Sequence, residues 1–198
     1  MIKFNNISNE TPYQIFQQKY EEGIIAKQKN IEAISISSYS KENNEVNSRY
    51  VNLKFVNNKE FIFFSNYNSP KSMEFLSHKQ ISALLFWNKI NLQIRLKAKI
   101  KKSSKAFNNN YFFHRDSKKN ALAISSQQSQ PASSYEEVIM NYNKAVEQGN
   151  LDVCPEYWGG YTFTPYYFEF WEGHSSRINK RDIYQLVDNN WVHTILQP

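Results

Sequence analysis

Cations, amides and a late tryptophan recur along this chain in patterns suited to gripping phosphate and planar rings. From Tyr157 to Arg181 the sequence runs Y-W-G-G-Y-T-F-T-P-Y-Y-F-E-F-W-E-G-H-S-S-R-I-N-K-R. Arg177, Asn179 and Arg181 alternate there with Ile178 and Lys180, and on a strand that alternation puts the three polar groups on one face. Two guanidiniums and an amide beside Trp171 suit a flat, phosphorylated ligand, because arginine both stacks on rings and forks onto phosphate. The alternative is a solvated basic hairpin next to a core tryptophan.

Three more groups have chemical potential. Arg49 ends the apolar row Val51, Leu53, Phe55 of a strand expected over 49–55, opposite Tyr50, Asn52 and Lys54, which suits a charge meeting a buried phosphate or an edge arginine in water. Ser69-Pro70-Lys71 reads as a helix start, with free amides beside a lysine as an anion site. Tyr111, Arg115 and Lys119 are four apart and line one face if a helix over about 104–118 runs that far, so that a phenol, a guanidinium and an ammonium can surround a phosphate. A solvated helix end is the competing reading.

The elements that must position these groups are legible in outline. Residues 1–10 read as a loose tail. Thr11 is expected to cap a helix reaching about Lys29, with Pro12 in the first turn and Gln14 reaching back. Strands are expected over 31–38, 49–55, 60–65 and 81–87, the last two as buried runs. Ile90 to Lys101 alternates strictly, giving a half-buried strand with a basic face that includes Arg95, Lys97 and Lys99. Nucleic-acid binding would use such a platform. Gln-rich loop 125–134 leads to a helix capped by Ser134 and closed by Gly149. Gly159-Gly160 marks a bend or a close approach, Pro165 breaks the aromatic run, and 191–196 forms a last strand.

At 198 residues, with 40% apolar and 16% aromatic content and five glycines, the chain suits one globular domain over 1–198. A net charge of +6, spread without a dense block, points to phosphate pockets more than to a nucleic-acid stripe. Cys154 is the only cysteine and reads as a packed thiol, so no intrachain disulfide forms; the histidines show no metal-ligand spacing. Without a signal-peptide core or a spanning apolar run, the expectation is a cytoplasmic protein that binds no membrane. The order of elements argues for α+β with an antiparallel barrel-like sheet.

The order W-G-G, then E-F-W-x-G, then R-x-x-x-R resembles the pyridoxamine 5′-phosphate oxidases, FMN-dependent enzymes of vitamin B6 metabolism, and the likeness covers roughly residues 30–198. It implies an FMN-binding split β-barrel, antiparallel and Greek-key-like, with flanking helices, in a homodimer with FMN at the subunit interface. It also implies hydride transfer from C4′ of pyridoxamine or pyridoxine 5′-phosphate to FMN, with O₂ as the final acceptor and peroxide as a product. By resemblance, FMN falls to Arg49, Tyr50, Val51, Leu53, Lys54, Phe64, Ser65, Lys71, Gln93, Gln128, Ser129, Trp171 and Arg181. The substrate phosphate falls to Lys54, Tyr111, Arg115 and Lys119, and the substrate ring to Arg177 and Asn179. Departures from the family pattern include Asn179 where it has His, Pro70 where it has Arg, Lys119 where it has Ser, Asn52 where it has an apolar residue and Leu92 where it has Arg. A flavin oxidoreductase of the same fold with another substrate, or a non-catalytic flavin or pyridoxal-phosphate binder, fits the same residues.

Overall fold

The computed structural model describes residues 1–198 except the side chain of Gln148. Its elements are β1 (Lys3–Asn5), α1 (Thr11–Ile25), β2 (Ala33–Ser40), β3 (Glu45–Asn52), β4 (Phe55–Asn57), β5 (Glu60–Asn66), α2 (Pro70–Ser77), β6 (Gln80–Trp87), β7 (Leu92–Lys102), α3 (Lys105–Phe113), α4 (Ser117–Ser125), α5 (Tyr135–Gln148), β8 (Trp158–Glu172), β9 (Lys180–Val187) and β10 (Asn190–Ile195). All strands join one sheet in the order β1-β4-β5-β8-β7-β6-β2-β3, with β9 on β8 and β10 on β9. Only β1–β4 is parallel among the described pairs.

The split of the barrel lies in β8. Its first half pairs with β5 and its second half with β9, while β7 follows it along the other edge. Fifteen residues of aromatic-rich strand can serve three neighbours because nearly every side chain along it is buried or half-buried. The barrel interior holds Ile34, Ile36, Phe61, Phe63, Ile94, Leu96, Phe163 and Phe168, and α1 packs against it through Tyr13, Phe16 and Tyr20. Edge-on ring contacts, Phe16–Phe61 at 5.0 Å and Tyr13–Phe168 at 5.1 Å, set that packing.

Several expectations are corrected. The first ten residues are not loose: β1 pairs with β4, Ile2 is buried, and its amide donates to Tyr20 Oη at 3.0 Å. A three-residue edge pairing leaves almost no trace in sequence pattern. Glu10, not Thr11, occupies the cap position of α1, and Gln14 donates to Ser8 O instead of reaching back. The expected strand over 49–55 ends at Asn52, because Leu53 turns into the core and its amide bonds to Glu32 O at 2.8 Å. On β6 only alternate residues are buried; Leu84 and Phe86 face outward.

Pro165 does not break β8. Ala98 pairs with Pro165 and Lys97 with Tyr167, so Tyr166 bulges out and the strand absorbs a residue that has no amide proton to give. The Gly159-Gly160 pair is a close approach and not a bend. A Cβ on Gly159 would lie 2.2 Å from Tyr67 Oη and 2.3 Å from Asn108 Nδ2, the groups that tie α3 to β8. The helix expected over 104–118 is two helices. Asp116 caps α4 by accepting from the Lys119 amide at 3.1 Å, and this local bond outcompetes continuation of α3. Ser134 caps α5 as expected, although Glu137 turns back to Ser133. No helix among the described residues is long and apolar enough to cross a membrane.

Candidate active site

Where β3, β5, the start of α2, the end of α3 and the loop after α4 meet, a hollow of about 450 Å³ opens. It is lined by Arg49, Tyr50, Val51, Asn52, Lys54, Phe64, Ser65, Pro70, Lys71, Tyr111, Arg115, Gln128 and Ser129. Arg49, Lys54, Lys71 and Arg115 make four cations in that wall, and among the described residues no carboxylate lines it. Sequence distance does not predict this convergence. Segments near residues 50, 65, 70, 111 and 128 meet only because β3 and β5, far apart along the sheet path, close on each other through the barrel.

Lys71 dominates one end. Pro70 supplies the first turn of α2 and no side chain caps it, while Ser69 Oγ donates to Asn66 O. The Lys71 side chain is buried, and its ammonium donates only to hydroxyls, Ser69 Oγ at 3.2 Å and Ser65 Oγ at 3.4 Å. Burial first, and the nearby Arg49 charge second, push its pKa down to about 8, with Glu74 opposing. Arg49 lies beside it but is partly spent. Its Nη2 meets Glu74 Oε2 at 3.0 Å, and Nη1 donates to Ser38 Oγ and Ile36 O. Gln128, whose role has no local sequence logic, reaches across the loop so that its Oε1 accepts from Ser65 Oγ and from the Asn66 amide.

At the other end, Tyr111 stacks on Phe64 with ring centroids 3.9 Å apart, and Phe64 stacks in turn on Trp158 at 5.1 Å. Arg115 lies over the Trp158 face at 4.9 Å. Lys54 completes this end; burial lowers its pKa, the Lys119 and Arg115 charges add to the effect, and Glu32 opposes it. Lys119 does not share a helical face with Tyr111, since α3 and α4 are separate, yet the turn at Asp116 brings it back to a smaller adjoining hollow of about 200 Å³ with Arg115, Phe64, Ser65 and Gln128.

The remaining expected residues lie elsewhere. Leu53 is fully buried in the core and does not line the hollow. Gln93, Trp171 and Arg181 stand directly opposite one another on β7, β8 and β9 and so share one face of the sheet. Arg181 is held by Glu169, whose Oε1 accepts from Nε at 3.0 Å and Nη2 at 2.8 Å, while Nη1 donates to Gln197 O. The expected alternation of Arg177, Asn179 and Arg181 on one strand is overturned, because β9 starts only at Lys180. Arg177 sits in a turn with φ 61°, and Asn179 Oδ1 accepts from the His174 amide to close that turn. None of Gln93, Trp171, Arg177, Asn179 and Arg181 lines the hollow. The basic face of β7 is also partly spent: Arg95 pairs with Glu169, Lys101 with Glu60, and Lys97 covers the Tyr167 ring.

Sequence reasoning missed Glu74, Trp158 and Glu169 as site-building residues. Glu74 lies one helical turn from Lys71, which is a faint signal; the other two are recognised only from their partners in space.

A split barrel whose wall gathers four cations, three of them with no ion-pair partner among the described residues, beside stacked rings defines a protein built to hold phosphorylated, planar ligands. The comparisons agree. Residues 158–198 match the family model described as the pyridoxine 5′-phosphate oxidase C-terminal dimerisation region. The pyridoxine/pyridoxamine 5′-phosphate oxidase 1 of Hydrogenovibrio crunogenus is 32% identical over 191 residues, covering 94% of this chain and 88% of that protein. The corresponding enzyme of Actinobacillus pleuropneumoniae serotype 5b is 34% identical over 188 residues, covering 94% and 89%. Among solved structures, PhzG from Burkholderia lata in complex with tetrahydrophenazine-1-carboxylic acid superposes with a TM-score of 0.89 at 22% identity, covering 94% of this chain and 92% of that one. A pyridoxamine 5′-phosphate oxidase-related, FMN binding protein from Nostoc punctiforme gives 0.77 at 10% identity, covering 96% and 99%. The chain belongs to the pyridoxine/pyridoxamine 5′-phosphate oxidase family.

FMN fits the donor set. A buried ammonium that donates to hydroxyls and has no carboxylate within ion-pair distance among the described residues has room for a contact counter-ion, and a phosphate supplies one. The pH dependence follows. Between about 8 and 10.5, the ordinary lysine value, the unfolded chain keeps a proton that the unliganded folded chain has lost from Lys71. Unliganded stability therefore rises with pH through that window, while affinity for a phosphate falls. FMN affinity, followed by flavin fluorescence, is expected to drop by up to about tenfold per pH unit above that point. Lys71→Arg should flatten the profile; a wild-type profile already flat to pH 9.5 would contradict the assignment.

Proposed function

We propose that this chain oxidises pyridoxamine or pyridoxine 5′-phosphate to pyridoxal 5′-phosphate, with FMN as cofactor and O₂ as acceptor. The observation that carries the reading is the carboxylate-free hollow with four cations in its wall. It offers two separate places for phosphate, one at Lys71 and one at Lys54 and Arg115, as a phosphorylated cofactor facing a phosphorylated substrate requires.

FMN, when bound, supplies the two-electron redox chemistry between the substrate C4′ and O₂. Overall, two electrons and two protons leave the substrate to give hydrogen peroxide, and water releases ammonia where the substrate is the amine. The protein supplies placement. Lys71, with Arg49, Ser65, Gln128 and Ser129 around it, holds the cofactor phosphate end. Lys54, Tyr111, Arg115 and Lys119 grip the substrate phosphate. The Gln93, Trp171 and Arg181 row, with Arg177 and Asn179 in the adjoining loop, comes from a second copy of the chain and closes over the ring system. Two observations support that last assignment: the row lies outside the hollow of its own chain, and residues 158–198 match a dimerisation region.

The direct test supplies pyridoxamine 5′-phosphate and air to FMN-loaded protein and measures pyridoxal 5′-phosphate and peroxide. A yellow protein that forms neither product would leave a flavin binder. Arg177→Ala is expected to lower turnover by roughly 100-fold while flavin stays bound, because the lost group orients the substrate and does not hold the cofactor. Unchanged turnover would remove Arg177 from the mechanism.

A further inference from the structure

Four of the five arginines of this chain are held in two different ways. Arg49 is paired with Glu74, and Arg95 and Arg181 with Glu169. Arg115, although burial lowers its pKa, has no carboxylate within ion-pair distance among the described residues. Its Nη1 donates to Lys119 O at 2.8 Å and to Asn120 Oδ1 at 3.2 Å, and its plane lies over the Trp158 ring.

Asn120 is 1% exposed, and every part of its amide is in use. Its Nδ2 donates to Phe112 O at 2.9 Å and to Leu151 O at 2.8 Å, which fixes which end of the amide faces Arg115. Three segments, the end of α3, the start of α4 and the chain at Leu151, are thus pinned by one side chain that turns only a neutral oxygen toward the guanidinium. Nη1 has two hydrogens and both are taken, so Nε and Nη2 form the one uncommitted two-pronged edge. That edge is the fork that meets two oxygens of a phosphate.

We infer that Asn120, with Trp158, is a positioning residue for substrate recognition: it orients Arg115 by neutral contacts alone, so that the full charge and the Nε/Nη2 edge of the guanidinium remain for the substrate phosphate. The inference rests on the proposed substrate site and adds the device that tunes it. A carboxylate in this place would hold the arginine equally well but would spend its charge, as Glu169 does for Arg181.

The test compares pyridoxamine 5′-phosphate with unphosphorylated pyridoxamine on FMN-loaded protein. Asn120→Leu should raise KM for the phosphorylated substrate by about tenfold, leave kcat within about twofold, and leave kcat/KM for pyridoxamine unchanged. Since this variant also strands the Phe112 and Leu151 carbonyls, Trp158 provides a second arm. Trp158→Leu should raise the same KM, and Trp158→Phe, which keeps an aromatic face, should restore part of it. A purely structural role would lower both substrates together. If Arg115→Ala abolishes the preference for the phosphorylated substrate while the Asn120 and Trp158 variants keep it, the inference fails and the site stands. If Arg115→Ala keeps the preference, the proposed substrate site fails and the inference falls with it.

Discussion

Lys71→Met should strip the protein of its flavin. Truncating one side of a buried, hydrogen-bonded charge pair costs about 2–5 kcal/mol, which corresponds to a loss of FMN affinity of about 30-fold to several thousand-fold. The neighbours cannot compensate. Arg49 is already partly spent on Glu74, and Pro70 offers no charge. The same substitution should leave the flavin-free protein as stable as before or more so, because methionine fills a similar volume without a buried ammonium that has only hydroxyl partners. Opposite signs for binding and stability make the result diagnostic. Equilibrium dialysis against FMN and thermal unfolding of the apoprotein measure them, and a Lys71→Met protein that purifies yellow would remove the residue from the cofactor site.

The second large effect is expected at Glu169. This carboxylate is 1% exposed, and each of its oxygens accepts two hydrogen bonds: Oε1 both of its from Arg181, and Oε2 one from Arg95 and one from Tyr167 Oη. Removing one partner of a buried ion pair leaves the others uncompensated, at a cost of about 3–5 kcal/mol. That is a sizeable share of the roughly 5–15 kcal/mol that holds a typical domain together. The loss should be carried mainly by Arg181, whose side chain is 24% exposed, since Arg95 at 44% can turn back into water. Glu169→Ala is therefore expected to lower the urea midpoint sharply and Glu169→Gln less, because an amide keeps one acceptor for Arg181. A change below about 1 kcal/mol for the alanine variant would show that the network behaves as a surface pair.

Much of the scaffold was legible along the chain. The alternation expected from Ile90 to Lys101 became β7 from Leu92 onward, with its buried and exposed rows, while Ile90 and Asn91 lie in the turn before it; Ser69-Pro70-Lys71 became the start of α2. Spaced residues that matched the family order (Arg49, Lys54, Lys71, Tyr111, Arg115, Gln128 and Ser129) do meet in one hollow. The failures share a pattern. Tyr111, Arg115 and Lys119 looked like one helical face, but Asp116 caps a new helix between them. Arg177, Asn179 and Arg181 looked like one strand face, but the first two lie in a turn. In both cases spacing was read on an element that is shorter than its polar residues suggest, because a side-chain bond to the backbone competes with extension of the element.

By itself the sequence determined what local energetics determine: where apolar periodicity makes a strand, where proline and serine open a helix, and which charges are available. It determined the family as well, since ordered motifs survive even where single positions drift. The tertiary structure alone decided how each charge is used. Arg49, Arg95 and Arg181 are spent on Glu74 and Glu169, whereas Lys71 and Arg115 meet only neutral partners. The physical reason is that a charge's worth depends on burial and on its neighbours within a few ångströms. In a closed barrel those neighbours come from strands and loops dozens of residues away, so no window of sequence contains them.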